Sequence, residues 1–370
     1  MFQELLDKAL HNLEKGLPFV LYSKPNSDQL QAIYQADDRL NYVADFTESG
    51  FVFAPFNTIS KSILIQSDAA FTANIEYRAF ELNDILENKS GETSEKFRYK
   101  AMISKALNEI GQGDLEKVVL SRKIEVPQTD TPLQIFQRIL TNYRTAFRYI
   151  WYHPKVGIWV GATPEILLKT NGQQLITMSL AGTQSSLEFE QAQWTAKELH
   201  EQQVVTDYIL KALQTVALSV NEEEVETIKA GNLWHLRTKL SGTFAPNAFG
   251  KVVKAIHPTP AVCGIPLKAA EHFILENESY ERTFYTGFLG ELNFKNEVSR
   301  NKNRRNQENS AYRSLLKTSE LFVNLRCMQV FDDKVQIYIG GGITKDSDPE
   351  REWEETVSKS STMRSVLRHK

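Results

Sequence analysis

The stretch LFVNLRCMQVFDDKVQIYI, residues 321–339, decides the fold class. It contains two strand-like apolar runs, 321–330 and 335–339, with only four residues between them. A parallel strand pair needs a crossover connection of about a dozen residues or more, so these two runs can pair only as antiparallel neighbours. We therefore expect an antiparallel sheet in this part of the chain.

Further strand-like runs recur along the chain, and several are again too closely spaced for a crossover helix. They lie at residues 19–22, 51–53, 62–65, 117–126, 174–179 and 283–294. Helical patterns separate some of them, at 187–216 and 353–367. We therefore predict an α+β fold, in which large, mostly antiparallel β-sheets pack together with helices on the outside.

The chain of 370 residues is long enough for one large domain or for two to three smaller ones. The polar stretch 87–96 and the charged stretch 300–310 are candidate boundaries. Strand-like runs continue on either side of both, which favours solvated loops over linkers. We predict a single domain over residues 1–370, in which residues 1–100 complete the fold.

The composition excludes several classes of protein. Lys and Arg total 43 and Asp and Glu total 46, for a formal net charge of −3, without the basic excess that is typical of nucleic-acid binding. Cys263 and Cys327 cannot form a disulfide framework and lie in apolar runs typical of buried thiols. The N-terminus has no signal-peptide pattern, and no run of about 18 apolar residues occurs. We expect a cytoplasmic protein that binds neither nucleic acid nor a membrane.

Two helical stretches each carry a pair of glutamates three residues apart, Glu198 with Glu201 and Glu352 with Glu355. Residues at this spacing share one face of a helix, and Pro349 can open the second helix. Two such helices together could hold a hard cation through oxygen atoms, and Mg²⁺ fits this ligand type. Acidic residues on a helix are more often solvated surface, so the spacing alone leaves both interpretations open.

Lys117 and Glu165 are candidates for acid–base chemistry. Strand alternation places Lys117 beside apolar neighbours, which disfavours a charged ammonium and suits a base; an edge-strand lysine that blocks aggregation is the alternative. Glu165 follows a strand and a turn containing Gly161. A carboxyl group in that place is either a general acid or a helix-start charge.

Two glycine-bearing turns, at 180–183 and 339–343, can expose backbone N–H groups to an anion. Neither has the spacing of a nucleotide-binding fingerprint. Arg326 is placed by the pattern inside an apolar strand, where its charge requires an acidic partner or an anionic ligand. His235 and His257 lack metal-ligand spacing, which favours hydrogen-bonded structural roles.

Taken together and in this order, these motifs resemble the signature set of the chorismate-using enzymes. That family includes isochorismate, salicylate, anthranilate and aminodeoxychorismate synthases, and its fold has large, mostly antiparallel sheets surrounded by helices. The similarity covers about residues 101–370. The matching motifs are KVVLSR (117–122), ATPE (162–165), LAGT (180–183), ELHE (198–201), HPTPAVCG (257–264), ER (281–282) with Tyr285 and Gly287, and DSDPE (346–350) through Lys359.

The resemblance implies a role for each matched position. Lys117 corresponds to the base that activates the water attacking C2 of chorismate, and Glu165 to the acid that protonates the departing C4 hydroxyl. The implied Mg²⁺ site consists of Glu201 and Glu355 as direct ligands, with Glu198 and Glu352 acting through water. The implied contacts to the substrate are made by Gly182, Thr183, His257, Ala261, Val262, Tyr285, Gly287, Arg326, Gly340 and Lys359.

The sequence around Ala261 bears on which reaction is implied. Pro260-Ala261-Val262 resembles the water-using isochorismate synthases, whereas ammonia-using members carry a more polar motif, and the retained Lys117 agrees. The resemblance thus implies an isomerase that needs no amidotransferase subunit and feeds menaquinone or siderophore synthesis. Salicylate synthase is the main alternative, followed by anthranilate and aminodeoxychorismate synthases, and a binding protein without turnover is disfavoured. The sequence departs from the family pattern at Gln184 and at 283–284.

Overall fold

The computed structural model describes residues 1–66, 69–78, 92–185, 191–230, 233–298 and 314–368. The stretch 300–310 lies outside these residues, as does the first part of 87–96. The same is true of the first residues of the predicted helix 187–216.

The first sheet has nine strands in the described residues. Their spatial order is β15 (Gly264–Ile265), β7 (Lys117–Pro127), β19 (Lys334–Ile343), β18 (Cys327–Val330), β9 (Gly157–Thr163), β8 (Phe147–His153), β1 (Phe19–Ser23), β2 (Gln29–Tyr34) and β6 (Ala69–Asn74).

The second sheet has ten described strands. Their order is β12 (Ala217–Glu222), β14 (Leu233–Phe244), β11 (Gln174–Ser185), β10 (Ile166–Asn171), β17 (Ser314–Val323), β16 (Phe288–Val298), β4 (Gly50–Ala54), β5 (Ile63–Ile65) and β3 (Asn41–Tyr42), while β13 (Glu226–Ala230) pairs with β14. Neighbouring strands are antiparallel in both sheets, which confirms the predicted architecture.

The predicted strand 321–330 is wrong, because the chain changes sheets within it. β17 ends at Val323 in the second sheet, and β18 begins at Cys327 in the first. The connection bends at Arg326, whose φ of 47° lies in the left-handed region. Asn324 fixes the bend, since its backbone N–H donates to the Gly287 carbonyl at 2.8 Å. An apolar run alone does not reveal a crossing of this kind, because both flanking segments are buried.

The two sheets pack face to face through aromatic side chains. Phe147 of β8 stacks on Phe322 of β17 with ring centroids 4.2 Å apart. Phe53 of β4 contacts Trp151 of β8 at 5.0 Å. All four side chains are buried, and ring pairs at these distances add to the stabilisation from apolar burial. This core holds the two sheets in one arrangement beneath the site.

Seven described helices cover the outer faces of the sheets, as predicted. They are α1 (Phe2–Lys15), α2 (Glu92–Gln112), α3 (Pro132–Asn142), α4 (Ala196–Gln214), α5 (Phe249–Ile256), α6 (Leu267–Asn277) and α7 (Pro349–Arg364). Pro349 does open α7, and the side chain of Asp348 accepts hydrogen bonds from the first backbone N–H groups of that helix.

Both cysteines are buried free thiols, which confirms the prediction from their apolar surroundings. None of the helices described is both long enough and apolar enough to cross a membrane.

Candidate active site

A cavity of about 140 Å³ lies where helices α4 and α7 meet strands β7 and β19. The register of β7 on β19 places Ser121 opposite Gly340 and Val119 opposite Gly342. The predicted site residues that line this cavity are Lys117, Glu165, Gly182, Glu198, Glu201, Ala261, Val262, Tyr285, Arg326, Gly340, Glu352, Glu355 and Lys359. Residues from distant parts of the sequence therefore converge on one small space.

Lys117 is buried at the start of β7, with only 2% of its side chain exposed. Its ammonium donates a hydrogen bond of 2.8 Å to Oε1 of Glu201, which extends from α4. The two side chains pass over the bare backbone of Gly342, where an added Cβ would lie 3.0 Å from Lys117 Cε and 2.8 Å from Glu201 Oε1. Gly342 thus provides the space in which this ion pair forms.

Glu165 follows the end of β9 and is buried in the cavity wall. Loss of solvation raises the pKa of its carboxyl group to about 8, although the positive charges of Lys117, Arg326 and Lys359 act in the opposite direction. The carboxyl group therefore retains its proton near neutral pH. A protonated carboxyl group in the wall of such a cavity can act as a general acid.

The four predicted metal ligands line the cavity from two helices, although their spacing alone had left a solvated helix surface equally open. Glu201 pairs with Lys117, and Glu355 pairs with Lys359 at 2.5 Å. Glu198 accepts a hydrogen bond of 2.9 Å from the backbone N–H of Thr195 at the start of α4. No cluster of three potential metal-ligating side chains forms among the described residues.

The chemistry of this donor set nevertheless suits a hard cation. Its donors are carboxylate oxygens, the ligand type that Mg²⁺ prefers. Because Gly341 and Gly342 of β19 have no side chains, two of the glutamates can lie close to the sheet. A Cβ at Gly341 would lie 3.6 Å from Oε2 of Glu352, and a Cβ at Gly342 would lie 2.8 Å from Oε1 of Glu201. The residues present therefore fit a magnesium site.

Arg326 projects from the connection between the two sheets into the cavity. Its guanidinium donates to the hydroxyl group of Thr362 at 3.0 Å, and it forms no ion pair with an acidic side chain of the described residues. A partly buried guanidinium without a carboxylate partner among the described residues suits the binding of an anionic group. Of the two alternatives that the sequence left open, an acidic partner is not found among the described residues, and an anionic ligand stays a prediction. The placement of Arg326 inside a strand was wrong.

Two glycines have conformational or steric reasons to lack a side chain. Gly182 has a φ of 68°, and a Cβ there would lie 3.3 Å from Glu198. A Cβ at Gly340 would lie 2.9 Å from the Leu120 carbonyl oxygen and 2.9 Å from the Tyr285 hydroxyl. Both glycines allow other groups to approach the cavity closely.

Two predicted substrate contacts, His257 and Gly287, are not among the described residues that line the cavity. The His257 ring donates to the Pro55 carbonyl at 3.2 Å, and burial lowers its pKa to about 4. Gly287 packs against β4, where a Cβ would lie 2.0 Å from the Ala54 carbonyl oxygen. The side chain of Thr183 lies outside the described residues. His257 and Gly287 thus shape the protein around the site rather than line it.

His235 lines the cavity, which the sequence pattern did not indicate. Its Nδ1 donates to the Gly182 carbonyl at 3.0 Å. Burial lowers the pKa of this imidazole to about 3, so it is neutral at physiological pH. The predicted structural, hydrogen-bonded role agrees with this contact. Only the pairing of β14 with β11 brings the ring to the Gly182 turn.

Arg282 supports two walls of the cavity from behind. Its guanidinium donates to the carbonyl oxygens of Val119 at 2.6 Å and Val262 at 2.9 Å. It also pairs with Glu278 at 2.5 Å, with both side chains almost fully buried. The sequence analysis matched Arg282 to a motif without assigning it a role. In the fold it joins the strand that carries Lys117 to the loop that carries Val262.

Comparisons with known proteins agree with the fold. A family model described as "Chorismate binding enzyme" matches residues 55–299, and a second described as "chorismate binding enzyme" matches residues 312–365. Isochorismate synthase DhbC of Bacillus subtilis is 28% identical over 284 residues, 72% of this chain and 66% of the relative. The vibriobactin-specific isochorismate synthase of Vibrio cholerae is 30% identical over 295 residues, 75% of this chain and 67% of the relative.

The matched regions thus span about two thirds of the length of these two relatives. Among solved structures, DhbC from Bacillus anthracis superposes with a TM-score of 0.76 at 21% sequence identity. The superposition covers 97% of this chain and 98% of the other. The two chains therefore share one fold.

Proposed function

The chain belongs to the family of chorismate binding enzymes, and from this premise we propose that it is an isochorismate synthase. In this reaction water attacks C2 of chorismate, the ring double bond shifts, and the C4 hydroxyl leaves as water. One water is consumed and one is released, so that substrate and product are isomers. The enzyme is then an isomerase that needs one base and one acid in the same cavity.

The observation that carries the proposal is that Glu165 and Lys117 line the same cavity, where burial raises the pKa of Glu165 to about 8. Glu165 donates its proton to the departing C4 hydroxyl, which would otherwise leave as hydroxide. Lys117 is the residue that we assign as the base, which accepts a proton from the water that attacks C2. The two proton transfers occur at different carbons of one allylic system, and each accelerates a step that water alone performs poorly.

Two cationic side chains support binding of the substrate carboxylates. Arg326 is partly buried and has no acidic partner among the described residues, and Lys359 contacts the Gly340 carbonyl at 3.3 Å. Glu201 and Glu355 would hold Mg²⁺ directly, and Glu198 and Glu352 would do so through water. When bound there, Mg²⁺ would neutralise carboxylate charge and would compete with the lysines for their glutamate partners.

Ala261 and Val262 support water rather than ammonia as the nucleophile. Both line the cavity with apolar groups and offer no side-chain hydrogen bond to an ammonia molecule. This agrees with an enzyme that works without an amidotransferase subunit. We further propose that the enzyme acts in the cytoplasm, where its product enters either menaquinone or siderophore synthesis.

The test is to incubate the purified protein with chorismate and Mg²⁺ and to identify the products by chromatography. Isochorismate should accumulate beside residual chorismate, because two isomers with similar bonds interconvert near equilibrium. Equal amounts of salicylate and pyruvate would instead identify a salicylate synthase. Formation of anthranilate or aminodeoxychorismate in ammonium salts would contradict the assignment of water as nucleophile.

A further inference from the structure

One edge of the first sheet is open for most of its length. β7 spans Lys117–Pro127, but β15 pairs only with its first two residues, 117–118. Beyond them, the backbone N–H of Val119 donates to the Cys263 carbonyl at 2.7 Å. From residue 121 onward no described strand pairs with this outer edge of β7.

The backbone groups along this edge are arranged to pair with an extended chain. The N–H of Ser121 points away from β19 and donates to Glu278 at 2.7 Å. Because the direction of these groups alternates along a strand, the N–H and C=O groups of Lys123 and Glu125 point the same way. Edge groups of this kind accept an additional strand through main-chain hydrogen bonds.

A groove of about 770 Å³ lies at the open edge, and residues 121–126 are among those that line it. Six residues of strand extend over about 17 Å. An extended peptide of about six residues therefore has the right length to lie beside this edge. Phe97 of α2 and Val357 of α7 line its walls and are 76% and 38% exposed. The groove thus offers both main-chain partners and apolar contacts to an added strand.

The groove presents positive charge. Among the described residues none of Arg98, Lys105 and Lys123 forms an ion pair within 4 Å: Lys105 contacts the Asn277 amide at 3.4 Å, and Lys123 lies over the Tyr280 ring at 5.6 Å. All three cations are therefore available to an acidic partner.

The acidic residues that line the same groove are already neutralised by cations of this chain. The corresponding pairs are Glu95 with Arg122 at 3.1 Å, Glu125 with Lys334 at 2.9 Å and Glu278 with Arg282 at 2.5 Å. The charge that remains in the groove is therefore positive, which selects for an acidic ligand.

We propose that the outer edge of β7 is a docking site for an extended acidic segment of a partner protein. The segment adds a strand to the sheet beside residues 122–126, beyond the Ser121 N–H that already donates to Glu278. Its carboxylates pair with Arg98 and Lys105 of α2, which lies on the Arg122 side of β7, and Lys123 adds positive charge on the opposite side. This site is separate from the catalytic cavity and does not depend on the proposed isomerase activity.

The probe is a fluorescein-labelled hexapeptide that alternates glutamate and valine, titrated against the full chain by fluorescence anisotropy. We expect saturable binding at about 1 mM peptide or below, weakened by salt. The matching hexapeptide of lysine and valine should not bind. Absence of binding by the acidic peptide, or equal binding of the two peptides, overturns the proposal.

Two N-methylated forms of the acidic peptide distinguish strand addition from simple charge attraction. One form carries methyl groups on the valine amides and the other on the glutamate amides. In a bound strand of one direction, either the valine amides or the glutamate amides face β7. A slip of one residue would exchange the two sets, but it would also move every side chain to the opposite face of the sheet. One form should therefore bind at least about tenfold more weakly while the other is unaffected. Equal effects of both methylations contradict strand addition.

Charge reversal locates the binding site. Lys105→Glu and Lys123→Glu should each weaken binding of the acidic peptide by about fivefold or more, since each replaces an attraction by a repulsion. Lys15→Glu, on the exposed end of α1, is the matched control and should leave the affinity unchanged. Circular dichroism verifies that each variant is folded. Unchanged affinity in both groove variants overturns the assignment to this edge.

Discussion

Lys117 and Glu201 form a buried ion pair, with 2.8 Å between Nζ and Oε1 and side chains that are 2% and 17% exposed. The lysine belongs to β7 and the glutamate to α4, so the pair connects a sheet to an outer helix. It also joins the candidate base to a candidate metal ligand. A change at either residue is therefore expected to affect both proton transfer and cation binding.

Replacement of Lys117 by Ala or by Gln should lower kcat by about 100-fold or more, the usual range for loss of a general base. Chorismate should still bind, because Arg326 and Lys359 remain in the cavity. Steady-state kinetics and calorimetry measure the two quantities. The Gln variant keeps a hydrogen-bond donor for Glu201 and guards against loss of folding, and Lys211→Ala on α4 is the control. Loss of chorismate binding with an unchanged fold would make Lys117 a binding residue instead.

Glu165 should impose an upper pH limit on turnover. Burial raises the pKa of its carboxyl group to about 8, and only the protonated form can assist the leaving hydroxyl. In the wild type, kcat should therefore decrease as the pH rises through about 8. Glu165→Gln should lower kcat by about 100-fold or more and remove this pH dependence. A variant whose pH profile still falls at the same point would assign the acid to another group.

The same carboxyl group should make stability depend on pH. Its pKa is about 8 in the folded protein against an ordinary 4.5, so the folded state holds this proton more tightly than the unfolded chain does. The stabilisation is fully present below about pH 4.5 and is lost as the pH rises through about 8. In urea unfolding, the wild type should lose stability relative to Glu165→Gln between about pH 5 and pH 9. A constant difference would contradict the raised pKa.

The fold class and much of the site could be predicted from residue pattern, and the exceptions have physical causes. Helix spacing alone indicated that Glu198 shares a face with Glu201, because both lie within one element. By contrast, the position of Arg326 depends on a change of sheets, which an apolar run does not reveal. His235 and Arg282 acquire their functions from partners far away in sequence, so local patterns contain no signal for them.

The magnesium assignment predicts that a chelator abolishes turnover and that added Mg²⁺ restores it. Glu201→Gln and Glu355→Gln each remove one charged oxygen and should weaken Mg²⁺ binding by about tenfold or more. Calorimetric titration with MgCl₂ measures this directly, independently of activity. Glu354→Gln is the control, because that exposed side chain is adjacent to Glu355 on α7. Full activity in excess chelator would rule out the metal site.

Neighbouring glycines of β19 provide a matched test of the geometry around Lys117. A Cβ at Gly342 would lie 2.8 Å from Glu201 Oε1 and 3.0 Å from Lys117 Cε, so Gly342→Ala must displace the ion pair. A Cβ at Gly341 would lie 3.6 Å from Glu352 Oε2, an ordinary van der Waals contact. Both glycines belong to one strand, and each substitution adds one methyl group.

We therefore expect Gly342→Ala to lower kcat by about tenfold or more, since a misplacement of about 1 Å is enough to impair catalysis. Gly341→Ala should retain most of the wild-type kcat. Thermal unfolding of both variants separates a local effect from a general loss of stability, because only the first should change kcat without a matching change in Tm. If both variants lose activity equally, the spacing between Gly342 and the ion pair does not control the reaction, and the role of Lys117 must be sought in a different arrangement.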